Sequence, residues 1–319
     1  MRALTVTDDK KLKISIVPDP EPASDEVLIK VQYAALNRAD VMQADGDYPP
    51  PPGAPSWPGL EVSGIIAAKG KKVSDKLRVG QKVCALLPGG GYAEYAAAKE
   101  GSVMPVPDGI TMAEAACLPE VYSTAWLNLF AEGKLKKGET VLVTAGASGV
   151  GIAVTQLAKA FGARVIVTLR GQGKIAAISG LGADLIVDTL STDLASVFAY
   201  EKVDLVIDCV GGEDAGRCMA LLNRGGRWIQ IATLAGDNTV VNLKELYKKG
   251  VKIIGSTLRS RSPQVKARII KGLVKDVFPL VESGKIKPVI YSVFGFEDAN
   301  AAQAQMRANK NIGKILLEL

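Results

Sequence analysis

Apolar and polar positions change rhythm twice along this 319-residue chain. Up to about residue 110, short β-branched runs alternate with turn residues. The runs are Ala3–Thr7, Leu12–Ile16, Val27–Val31, Val62–Ile66, Lys82–Leu86, Tyr92–Ala96 and Val103–Val106. With Pro18-Asp-Pro20 and Pro88-Gly-Gly-Gly91 between them, they predict a barrel-like β domain with little helix. The proline run from Tyr48 to Gly53 predicts a loop of polyproline character. From Thr111 to Gly133 the apolar spacing becomes helical. Between 140 and 255 six strand-length apolar runs, each next to a helix candidate, predict a parallel sheet covered on both faces: Thr140–Ala145, Arg164–Thr168, Asp184–Val187, Val203–Ile207, Arg227–Ile231 and Val251–Gly255. From about Pro263 a helix (Val265–Val281), a strand (Pro288–Tyr291), a second helix (Glu297–Ala308) and the run Gly313–Leu319 are predicted to return to the β domain. The expected division is 1–120, completed by 262–319, and 121–261.

The most informative stretch is Thr140–Lys174. Its first strand runs into Gly146-Ala-Ser-Gly149-Val-Gly151, then a helix from Ile152 to Phe161, then the second strand. Strand, glycine turn, helix and strand in that order are the context in which a Gly-rich turn cradles a pyrophosphate. Gly146 is expected to permit the tight exit from the strand and Gly149 to admit the phosphates to backbone amides. Gly151 is expected to let the helix pack on the sheet, while Ser148 adds a donor. With Val150, these residues present the positive end of the helix to the anion. Beyond the second strand, where a free ribose 2′-OH usually meets an acid, the chain reads Thr168-Leu-Arg170-Gly-Gln-Gly-Lys174. Arg170 can grip a 2′-phosphate bidentately and Lys174 adds a point charge, which favours NADPH over NADH.

Composition narrows the chemistry. The chain has no histidine, so it lacks the commonest general base and the usual zinc ligand. Cys84, Cys117, Cys209 and Cys218 have no paired spacing, which argues against a disulfide framework and for a reducing cytoplasm. No apolar run reaches the length of a membrane span, and the start lacks the apolar core of a signal peptide. The net charge of +6 is spread out, with no basic stripe to argue for nucleic acid.

Several separated stretches resemble, in order, the medium-chain dehydrogenase/reductase superfamily. Within it they are similar to the zinc-independent quinone oxidoreductase branch that includes zeta-crystallin, in particular the tumour-suppressor-inducible group. They are Leu36–Asp40, Gly46–Pro51, Gly59–Gly64, Leu87–Gly91, Pro119–Trp126, the Gly146 turn, Cys209–Gly212, Leu258–Arg261 and Ala308–Lys314. The resemblance implies an α/β fold: a GroES-like β-barrel catalytic domain joined to a Rossmann domain with a doubly wound parallel sheet. Zinc members hold the metal with two Cys and a His; the matching positions are Asn37, Leu60 and Glu120, which do not rebuild that site, so no metal is expected. Glu61 beside them is expected to hydrogen-bond.

By the same resemblance, Asn37 and Tyr48 would face nicotinamide and substrate as catalytic residues. Thr124, Cys209, Thr233, Leu258 and Asn311 would line the cofactor. Family members often place a Tyr on the 2′-phosphate where this chain has Thr189, a departure that weakens the preference for NADPH. The expected activity is reduction of a quinone by NADPH, with Tyr48 and Asn37 as neutral donors to the developing oxyanion. A reductase of activated C=C bonds in enones or 2-alkenals is the nearest alternative, and a non-catalytic nucleotide- or RNA-binding crystallin-like protein is another. A homodimer, or a dimer of dimers, joined through an edge of the nucleotide-domain sheet is also implied. Basic residues such as Arg259 and Arg261 read as solvated surface.

Overall fold

The computed structural model describes residues 1–319. The chain divides into two compact units, Met1–Ser123 with Arg259–Leu319, and Thr124–Leu258. In chain order the first opens with a hairpin of β1 (Arg2–Val6) and β2 (Leu12–Ile16). It continues through β3 (Glu26–Ala35), α1 (Arg38–Asp45), β4 (Glu61–Lys69), β5 (Lys82–Leu86), β6 (Tyr95–Lys99) and β7 (Val103–Pro105). Two short helices, α2 (Met112–Ala115) and α3 (Pro119–Trp126), follow.

The second unit holds β8 (Thr140–Val143), α4 (Gly149–Ala160), β9 (Arg164–Leu169), α5 (Ile175–Ile178), β10 (Leu185–Asp188) and α6 (Leu194–Tyr200). It goes on with β11 (Leu205–Asp208), α7 (Glu213–Met219), β12 (Arg227–Gln230), α8 (Leu243–Lys249) and β13 (Lys252–Gly255). The chain then returns to the first unit with α9 (Pro263–Asp276), α10 (Phe278–Glu282), β14 (Ile290–Gly295), α11 (Ala299–Arg307) and β15 (Lys314–Glu318).

In the first unit β3 is the hub. At ten residues it is long enough to pair antiparallel with β4 along most of its length while its start pairs with β6 and its end with β15. Register shifts at Leu28/Ile29 and Val31/Tyr33 add the local twist that curls the sheet around its core. Val27, Ile29 and Val31 alternate inward and meet Val62, Ile66 and Leu317. Only β14 runs parallel to its neighbour β15.

The second unit is an all-parallel sheet in the order β10-β9-β8-β11-β12-β13. Numbered within the unit this is 3-2-1-4-5-6, the doubly wound order with its switch point between β8 and β11. All four residues of β8 are buried, as are the last five of β9. Helices on both faces leave no wet side, so these strands read as unbroken β-branched runs. Leu142, Ile166, Val206 and the fully buried Trp228 form its core.

Three expectations need correction. The strand expected at Tyr92–Ala96 begins at Tyr95; Tyr92 is a core residue whose carbonyl accepts the Leu4 N–H. The single helix expected at Val265–Val281 is two, because Pro279 has no N–H to continue the ladder and instead opens α10. Helix α1 falls inside the region expected to be strands and turns. Its start is set by Asn37, whose own N–H is accepted by the Asp40 carboxylate at 2.8 Å. Its end is set by Gly46 in the left-handed region.

Candidate functional site

The glycine turn sits at the carboxyl end of β8, on the switch-point side of the sheet. Its left-handed residue is Ala145 (φ +48°), not Gly146. Gly146 is needed for a different reason: a Cβ there would run into the Val167 side chain of β9. Gly151 likewise packs on the turn itself, where a Cβ would lie 2.6 Å from the Ala145 carbonyl oxygen and 2.7 Å from Gly146 Cα. Ser148 is the N-cap of α4; its hydroxyl oxygen accepts the Gly151 N–H at 3.0 Å. That leaves Gly149 and Val150, the first two helical positions, with N–H groups that no helical carbonyl can take.

The neighbouring strand ends converge on the same rim. Cys209 follows β11, its N–H donating to Thr144 Oγ1 at 3.0 Å, and Thr144 in turn donates to the buried Asp208 carboxylate at 2.7 Å. Cys209 is half-buried, unlike the other three cysteines. Thr233 follows β12, exposed, with its hydroxyl on Asp237 Oδ1; Leu258 is buried after β13. Thr124 accepts the Asn128 side-chain amide on its carbonyl at 2.8 Å. Past β9, Arg170 is exposed and Lys174 is half-buried, with its pKa pulled down by burial.

The sequence shows no acid after β9, but the fold supplies one from the next strand. Asp188 is in register with Leu169, and its Oδ1 accepts the N–H groups of Gly171 (2.8 Å) and Leu190 (3.0 Å). The carboxylate is occupied in shaping the loop that carries Arg170. The Thr189 hydroxyl donates to the Leu169 carbonyl at 3.1 Å.

In the first unit a buried charge network surrounds Asn37. Lys314 Nζ reaches Glu61 Oε1 at 2.6 Å, Asn37 Oδ1 at 2.8 Å and the Leu36 carbonyl at 2.6 Å. Asn37 Nδ2 donates to Glu61 Oε1 (3.1 Å) and the Ala35 carbonyl (3.3 Å), so both amide hydrogens are engaged. Glu61 Oε2 accepts the backbone N–H of Glu120 at 2.8 Å. Burial pushes the Asp40 carboxyl up to about 6, against the opposing pull of the Gly59 and Asn37 amides it accepts. Burial, reinforced by Glu61, pushes Glu120 up to about 8.

Tyr48 is half-buried, and its ring lies under the Arg259 guanidinium, 5.3 Å from carbon to centroid. Arg259 is not the solvated residue expected: it is 6% exposed. Its fork donates to the Pro88 carbonyl (2.9 Å), the Tyr48 carbonyl (3.2 Å) and Gln43 Oε1 (2.6 Å), tying three loops together. Burial raises the Tyr48 pKa, Arg259 opposes that, and Glu120 adds to it, so the phenol stays protonated at neutral pH. Asn311, also in this unit, donates from Nδ2 to the Gly313 carbonyl at 2.8 Å.

Comparison with known proteins decides the family. An alcohol dehydrogenase GroES-like domain model matches residues 23–108, and a zinc-binding dehydrogenase model matches 181–317. Acryloyl-coenzyme A reductase of Sulfurisphaera tokodaii is 32% identical across all of both chains. A synaptic vesicle membrane protein VAT-1 homolog of Danio rerio is 32% identical over 99% of this chain and 69% of its own. The chain is a medium-chain dehydrogenase/reductase. Among solved structures, a mycobacterial quinone oxidoreductase aligns over all of both chains at 26% identity and TM-score 0.84. A mycobacterial protein complexed with NADPH does so at 27% and 0.87. The fold is therefore a GroES-like unit and a Rossmann-type parallel sheet in an oxidoreductase of a nucleotide-binding family.

The zinc named in one family model does not suit this medium-chain dehydrogenase/reductase. With no histidine in the chain, the Asn37–Glu61 pair is bridged by the Lys314 ammonium, which brings its own positive charge to the place a metal would need. No group of three His, Cys, Asp or Glu side chains could hold an ion. No helix is long and apolar enough to cross a membrane. Sequence reasoning misses Lys314 and Asp188, and it names Glu120 and Arg259 without these roles; Lys314, Glu120 and Arg259 lie inside the stretches that carry the family resemblance, and nothing local marks what they do.

Proposed function

We propose that this chain is an NADPH-dependent quinone reductase that passes a hydride to its acceptor without metal. The observation that carries the proposal is the rim of the parallel sheet. The unsatisfied Gly149 and Val150 amides at the start of α4 stand at the switch point, and Arg170 stands beyond β9 in a loop shaped by Asp188. Bound there, the cofactor would supply the hydride. Gly149 and Val150 would hold its pyrophosphate, Arg170 and Lys174 its 2′-phosphate, and Thr124, Cys209, Thr233, Leu258 and Asn311 would line the rest. Tyr48, whose hydroxyl makes no hydrogen bond within its unit, would donate to the oxyanion that develops on the acceptor. Asn37 would act through the Lys314–Glu61 network that fixes it.

Quinone reduction ends in an aromatic hydroquinone, so orientation and a neutral donor suffice where a carbonyl would need a Lewis acid. The mycobacterial quinone oxidoreductase and the NADPH complex support this reading. The full-length likeness to acryloyl-coenzyme A reductase favours a second one, reduction of an activated C=C bond. NADPH oxidation measured over ortho-quinones, para-quinones and enones, with NADH alongside, separates the two; no turnover on either class defeats both.

The same proposal includes a cytoplasmic setting, which suits four cysteines that form no disulfide, and a homodimer, or dimer of dimers. The free edge β13, where Ile253 is 46% exposed, is the place to pair, and sedimentation of Ile253→Lys against wild type checks it.

A further inference from the structure

Glu120 stands on the first turn of α3 with its own N–H fixed to Glu61 and its side chain half-buried. Its carboxyl makes no hydrogen bond and no ion pair. None of the nearby cations pairs with it. An ammonium has three N–H donors, and Lys314 spends them on Leu36, Asn37 and Glu61. Lys266 Nζ donates to the Arg259 carbonyl at 2.8 Å, and the Arg259 fork is taken by Pro88, Tyr48 and Gln43. An ionised carboxylate at Glu120 would stand unpaired in the field of two other acids, Glu61 and Asp40. A protonated one is at ease there, and it lies within electrostatic reach of Tyr48.

We propose that Glu120 is the acid that returns a proton to the reduced substrate, working beside the Tyr48 hydroxyl. The proposal rests on the reductase reading above. The acceptor takes the hydride with its electron pair and becomes an anion: a hydroquinone monoanion from a quinone, an enolate from an enone. Tyr48 donates a hydrogen bond to that oxygen. The Glu120 O–H bond breaks, its proton passes to the anion, and the carboxylate left behind is reprotonated from water. A histidine-free chain thereby gains a general acid that is charged with its proton at neutral pH.

The groups facing Glu120 act in both directions. Burial and the charges of Glu61 on β4 and Asp40 on α1 favour the protonated form; Lys314 on β15 and Lys266 on α9 oppose them. Arg259 and Tyr48 complete the surroundings. The balance leaves the carboxyl at about 8, so the acid form dominates at pH 7 and is lost above pH 8.

The test compares wild type with Glu120→Gln, which keeps size and polarity without an ionisable proton, and Glu120→Asp, which keeps the acid. For wild type, kcat with a para-quinone and with an enone should fall as pH rises through about 8. Glu120→Gln should lower kcat about a hundredfold at pH 7, the scale of general acid catalysis, and abolish that fall. NADPH affinity, read from nucleotide fluorescence, should stay within about twofold. Glu120→Asp should retain the pH-dependent limb. Unchanged kcat with an intact limb in Glu120→Gln overturns the proposal and leaves the reductase reading standing. Wild type inactive on both acceptors overturns the reading with it. Independently of turnover, infrared difference spectra of wild type against Glu120→Gln at pH 7 should show the carbonyl stretch of a protonated carboxyl, and its absence also overturns the assignment.

Discussion

Replacing Lys314 by Met should destabilise the first unit sharply, and the structure says by how much. Lys314 is 4% exposed and Glu61 0%, so their pair is sealed from water. Met fills the space of the lysine stem but removes three donors. The Leu36 carbonyl and Asn37 Oδ1 lose their partner, and the Glu61 carboxylate loses its counter-charge. Breaking a buried pair from one side costs about 3–5 kcal/mol. Two amide donors, Asn37 Nδ2 and the Glu120 N–H, remain on Glu61 and hold the expectation near the lower end, about 3 kcal/mol. The pair together is worth much less, since each charge was also taken out of water. Glu61→Gln/Lys314→Met should therefore recover most of the loss and lie within about 1 kcal/mol of wild type. Urea unfolding followed by circular dichroism measures both variants, and the slope of the transition should not change. A single variant costing less than about 1 kcal/mol, or a double variant equal to the sum of the singles, would refute the account of a mutually dependent buried pair.

Further outcomes follow from the same geometry. Gly146→Ala forces a methyl into Val167 and should cost about 1–3 kcal/mol by overpacking, much of it restored by adding Val167→Ala; thermal melts of the two variants decide it. Arg259→Met leaves the Pro88, Tyr48 and Gln43 oxygens without their donor and should cost about 3 kcal/mol, read by urea unfolding. Stability should also fall with pH. Asp40 and Glu120 have folded values raised to about 6 and about 8, so the native state keeps protons that the unfolded chain has released. Their contribution is fully present below about pH 4, declines as pH rises, and levels off above about pH 8. The urea midpoint should be higher at pH 5 than at pH 8.5, and Glu120→Gln should flatten the upper part of that slope. Arg170→Ala should weaken NADPH binding about tenfold and leave NADH binding alone, as measured by fluorescence titration.

The parallel sheet was plain in the sequence because of what it buries. Strands covered on both faces need apolar side chains at every position, so β8 and β9 announce themselves as continuous runs, and the glycine turn between β8 and α4 is equally local. Helix α1 gave no such signal: it is short, its charged and apolar positions are mixed, and its boundaries come from Asn37, Asp40 and Gly46 instead of a hydrophobic stripe. The glycines were found but two of their reasons were not. That Gly146 yields to Val167 and Gly151 to Ala145 depends on which strand lies alongside and how the turn closes, and pairing is not written in spacing.

The charged residues divide the same way. Local chemistry was enough to nominate Arg170 as a phosphate ligand and Ser148 as a turn residue, and the missing histidine narrowed the possible catalysis before any fold was known. What tertiary structure alone decided is which charges meet. Lys314 finds Asn37 across 277 positions of chain, Arg259 finds Gln43 across 216, and Asp188 is carried to the end of β9 by the strand beside it. Hydrophobic burial is additive along the chain and leaves a period that can be read. A buried charge is tolerable only if one particular partner arrives, and that partner is chosen by the fold.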